Sequence, residues 1–147
     1  MKKLYVVFFS ILIFSSELMI ASQTKRLKTA DEFAEYENQI REERIIHDQL
    51  FAQYNTLLVL DDLESQRVLR EAVAGVREVI TYIEQNAVSV NALRNQLRNY
   101  QSTLKFTLEW KEQNQNAEGF SLEKRIFLDR FTMSLITAIE IIEEKME

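Results

Sequence analysis

Apolar residues recur along this chain at alternating spacings of three and four, the period of an α-helical face. The first row runs Phe33, Tyr36, Ile40, Glu43, His47, Leu50, Tyr54, Leu57. It predicts a helix over about 30–60, with a seam of the coiled-coil or bundle kind. A second row, Leu69, Ala72, Val73, Val76, Val79, Ile80 and Ile83, predicts a helix over about 62–85, with Arg67, Arg70, Arg77 and Glu78 on its polar side. The third, Val90, Leu93, Leu97, Tyr100, Leu104 and Leu108, predicts a helix over about 90–116. The fourth helix, about 121–146, stands apart. Between Ile126 and Ile142 its apolar side chains sweep an arc of about 220° at roughly 100° per residue, whereas a surface helix buries little over about 100°.

Punctuation between the rows supports four separate helices. Thr29 and Glu32 have capping-box spacing, as do Asp61 and Glu64. Ser89 and Ser121 stand where N-caps belong, and Gly119 suits a left-handed position after the third helix. The fold class expected is all-α: an antiparallel up-down four-helix bundle, packed in sequence order and preceded by an N-terminal signal segment. Its core should include Leu128, Phe131, Leu135, Ala138 and Ile142. The flanks of helix four are then surplus, to be covered by helix three, by the leader segment or by another molecule.

Composition narrows this further. The 147 residues suit one domain, and they include no proline and only two glycines, as helix interiors require. Residues 1–22 form a signal peptide or an uncleaved membrane anchor, and 23–147 a single bundle domain. Met1-Lys2-Lys3 is a positive start, Leu4 to Phe14 an eleven-residue apolar run, and Ser15-Ser16-Glu17 its end. That run is shorter than the roughly 20 residues of a spanning helix. Export to a periplasmic or extracellular location is therefore expected, with membrane contact only through residues 1–20 if they are retained. The absence of cysteine means that no disulfide braces the fold and excludes thiol chemistry and covalent haem attachment. The net charge of −5 and the lack of a dense basic run argue against nucleic acid as a partner.

Two groups of residues carry candidate chemistry. Glu43 and His47 lie one turn apart inside the seam of helix one, where Tyr36, Tyr54 and Tyr100 should also point inward. They could hold a small ligand or a metal ion, or form a structural hydrogen-bonded pair. A di-iron bundle needs two Glu-x-x-His motifs, and this chain has one histidine. Phe106 and Trp110, with Arg98 alongside, lie opposite the Leu97–Leu104 seam. This pair could be the anchor of a partner-binding face, since Trp is enriched at such anchors. Alternatively helix three rolls and takes both rings partly into the core. Phe127, Ile136 and Ile139 on the flank of helix four make the second candidate surface. No phosphate loop, nucleophile elbow or metalloprotease motif is present, so neither an enzyme nor a cofactor is expected. The functional expectation is recognition of another macromolecule, or self-association, through helix faces, as in a chaperone-like, inhibitor or assembly factor of the cell envelope. The alternative is a small-ligand or metal carrier built around Glu43 and His47.

Overall fold

The structure, a computed structural model, describes residues 29–147. The expected signal segment lies outside them. Four helices pack against one another: α1 (Thr29–Thr56), α2 (Asp62–Gln85), α3 (Val90–Asn114) and α4 (Leu122–Met146). There is no strand among the described residues.

Local chemistry sets the helix ends. Asp61 accepts from the Glu64 amide at 2.8 Å, Ser89 from Ala92 at 3.2 Å and Ser121 from Lys124 at 3.2 Å, each satisfying a first-turn donor. Helix α1 stops at Thr56, short of the expected residue 60. There the amides of Leu57 and Leu58 bond back only three residues, to Tyr54 at 2.9 Å and Asn55 at 3.2 Å. Such tightening marks a helix end, and it leaves a definite break between α1 and α2.

Helix α4 is the hub. It packs closely against both α2 and α3, which accounts for much of its wide apolar arc. Leu128, Phe131, Leu135, Ala138 and Ile142 are all buried, as the pattern predicts. Packing does not follow sequence order, however. Helix α1 lies only on α3, and among the described residues α1 makes no close approach to α2, nor α2 to α3. Helix α2 has one main apolar face and spends it on α4, so none remains opposite α1.

Helix α3 is rolled relative to expectation. Its buried line is Leu93, Gln96, Tyr100, Thr103, Thr107 and Trp110, while Leu97 and Leu104 move to half-buried flanks and Val90 and Leu108 are exposed. Tyr100 is buried in either orientation, and burying the large face of Trp110 as well outweighs burying Leu104 and Leu108. The threonines cost little, because Thr103 donates to Asn99 O at 2.8 Å and Thr107 to Thr103 O at 2.7 Å.

One end of the assembly is closed by the two connections that flank α2 and α4. Gly119 has φ +86°, and a β-carbon there would lie 2.0 Å from the carbonyl oxygen of Leu58. The buried side chain of Lys124 donates to the Leu60 carbonyl and, at 2.7 Å, to that of Gly119, bridging the α1–α2 and α3–α4 connections. Ser121 donates to Asp62 at 2.5 Å, so α2 and α4 start side by side. Gly119→Ala should therefore destabilise the protein by about 2–4 kcal/mol, combining left-handed strain with overlap against backbone. Thermal or urea unfolding of the variant beside the parent chain checks this.

Candidate functional site

Trp110 is 0 % exposed, which removes it as a surface anchor. Its indole Nε1 donates to Asn55 Oδ1 at 2.9 Å, and its ring packs on Tyr54 and, edge to face, on Phe120, with centroids 5.5 and 5.3 Å apart. Of the two readings of this pair, an exposed anchor or a roll of α3 that takes the rings toward the core, the roll describes the structure. Trp110 joins the core, and Phe106 alone stays half-buried at its edge. Arg98 is exposed and donates to Gln39 of α1 at 3.0 Å.

Phe106 meets His47, which stands between two phenyl rings. Phe51 stacks on the imidazole at 4.4 Å and Phe106 meets it edge-on at 4.3 Å. The hydrogen-bonding neighbour of His47 is Asp48, at 3.3 Å. Glu43 is half-buried one turn away on the same helix. Among the described residues no group of three or more His, Asp or Glu side chains converges as metal ligands. What His47 contributes here is an aromatic stack between α1 and α3.

Two of the three tyrosines expected to face inward do so. Tyr54 and Tyr100 are fully buried, and Tyr36 is exposed. Since the Thr107 hydroxyl donates to Thr103 O, the Tyr54 hydroxyl is the donor in its 2.5 Å contact with Thr107 Oγ1. Burial pushes both tyrosine hydroxyls well above their usual pKa, with Thr107 acting the other way on Tyr54 and Gln96 on Tyr100.

Val59, Leu63 and Leu122 are exposed at and next to the helix starts, and two further stretches of apolar surface bear on function. One is the first half of α1, where Phe33 is 65 % exposed, Tyr36 60 % and Ile40 48 %. These residues continue the seam that buries Leu50, Tyr54 and Leu57 further along the helix. The other is an open groove of about 1240 Å³ between α2 and α4, floored by residues such as Val73, Ala74, Phe127, Met133 and Ile141. Arg70 and Arg130 both lie over the Phe127 ring, at 5.9 and 5.1 Å from its centroid, and Arg77 stands further along. Phe127 thus does belong to a surface feature. Ile136 and Ile139 are half-buried, Ile139 packing against the core. The α1 seam is legible as a row of apolar positions, but only the packing reveals which half is exposed among the described residues.

Trp110→Ala should cost about 3–5 kcal/mol, the range for emptying a large core site, whereas Phe106→Ala should cost clearly less. Chemical unfolding of both variants measures the difference. Alkali should act through the buried tyrosines. Their stabilising effect is complete below the ordinary tyrosine pKa of about 10 and is lost as pH rises through the higher folded values, because the unfolded chain gives up protons that the native one keeps. Unfolding free energy followed by circular dichroism should be insensitive to these two groups at neutral pH and fall above about pH 10, with Tyr54→Phe showing a shallower fall. No family model matches this chain, and no curated protein or solved structure is similar to it, so its own helix faces carry the argument about function.

Proposed function

We propose that this is an exported up-down helical bundle of the cell envelope that works by binding another macromolecule or a second copy of itself through helix faces. The observation that carries this reading is the row Phe33, Tyr36 and Ile40, which continues a core seam into solvent. Three large apolar side chains at helical spacing form the kind of stripe that helix-in-groove recognition uses. Lone exposed apolar residues need no explanation, but a contiguous row does. Export is supported by the charged start and short apolar run at the N-terminus. Among the described residues no helix is long and apolar enough to cross a membrane.

Affinity capture from envelope extract, read by mass spectrometry, tests the reading. Because Phe33 and Ile40 are exposed, Phe33→Ser with Ile40→Ser should leave helicity and unfolding unchanged while recovery of the bound molecule falls by about tenfold or more, the loss expected when anchor side chains are removed. Leu108→Ser, on an exposed position of α3, should have no effect. Undiminished capture by the double variant would sink the proposal.

A further inference from the structure

We infer that the exposed seam of α1 docks into the α2–α4 groove of a second copy of this chain. The inference rests on the helix-face reading above and names the occupant of that face.

Charge argues first. Between Asp31 and Asp48 the chain carries seven carboxylates against Arg41 and Arg44, a local charge of −5 in a stretch whose apolar stripe is exposed. The groove is lined by Arg70, Arg77 and Arg130 against Glu78 and Asp129, and Lys111 of α3 already engages Asp129. An acidic amphipathic helix thus faces a cationic apolar trough, which favours encounter and sets the orientation of docking. Arg70 and Arg130 lie over Phe127, and a guanidinium has five N–H donors with which to meet carboxylates.

Dimensions agree. At about 1.5 Å per residue, Phe33 to Glu43 spans about 15 Å, and the groove from Ile126 to Ile141 spans about 22 Å. Both partners use parallel rows of side chains at helical spacing, the requirement for ridge-and-groove packing.

Helix α1 does not reach its own groove. It packs on α3 and makes no close approach to α2 or α4 among the described residues, so an α1 seam seated in the groove belongs to a second copy. If each copy offers its seam to the other, the contact is made twice and closes as a two-fold dimer. Doubling the contact brings the buried surface toward the roughly 1,200–2,000 Å² of stable complexes.

The absence of cysteine in the natural chain makes a direct test clean. Full-length protein carrying Ile40→Cys is mixed with a differently tagged form carrying Met133→Cys, and both are joined with a short bifunctional maleimide. The expected result is a covalent product joining positions 40 and 133, formed well above the yield of a control pair using Leu108→Cys in place of Met133→Cys. Association through the apolar leader would raise both yields alike. The uncrosslinked protein should show a dimer mass by light scattering, and Arg77→Glu with Arg130→Glu should weaken the dimer by about tenfold to a hundredfold without changing helicity. A dominant product joining position 40 to position 40 would overturn groove docking in favour of seam-to-seam pairing. A monomer with no 40–133 product, which still captures another envelope protein through Phe33 and Ile40, would overturn this inference and leave the broader reading standing.

Discussion

The close approach of Gly119 to Leu58 is the contact on which the arrangement of the helices depends. The α-carbon of Gly119 lies so near the Leu58 carbonyl that no side chain fits between them, and the left-handed turn there sends the chain back into α4. Lys124, in the first turn of α4, then satisfies carbonyls from both connections. Buried backbone acceptors need partners, and here a single ammonium, with three donors on a flexible stem, supplies them to two loops at once. With these loops locked, α2 and α4 must start together, and the bond between Ser121 and Asp62 reinforces that.

From this closed end the quality of packing declines along α1. Leu50, Tyr54 and Leu57 meet Trp110, Thr107 and the core of the bundle, and His47 still sits between Phe51 and Phe106. Beyond His47 the polar contact of Gln39 with Arg98 keeps α1 beside α3, while Phe33, Tyr36 and Ile40 are exposed among the described residues. The helix therefore combines a structural half and an unsatisfied half in one continuous seam. Burying an apolar side chain of this size is worth about 1.5–3 kcal/mol, which packing among the described residues does not draw from the exposed half.

Legibility in the sequence varied by element, and for identifiable reasons. Helix α4 was read down to its core line because both of its neighbours are large helices and its widest apolar arc leaves little choice of orientation. The caps at Asp61, Ser89 and Ser121 were read because capping is local, involving side chains and amides three residues apart. Helix α3 was legible only in part: Leu93 and Tyr100 of the predicted row are buried, but Trp110 and threonines that bond their own backbone replace Leu97, Leu104 and Leu108 on the buried line. Of the candidate binding residues, Phe127 lies in the groove, Phe106 at a half-buried edge and Trp110 in the core. Lys124 was missed, since a lone lysine in a first turn carries no signal that two distant carbonyls will converge on it.

Taken alone, the residues determined what repeats locally: four helices, where three of them are capped, and which positions are apolar. Those properties follow from spacing, propensity and short-range hydrogen bonds. Only the tertiary structure decided which helices become neighbours, because α4 attracts both α2 and α3 and leaves α1 with one partner. That choice exposes one half of a seam written as if it were all core. It also opens the cationic groove between α2 and α4, since a face is free or covered only in relation to the helix placed against it.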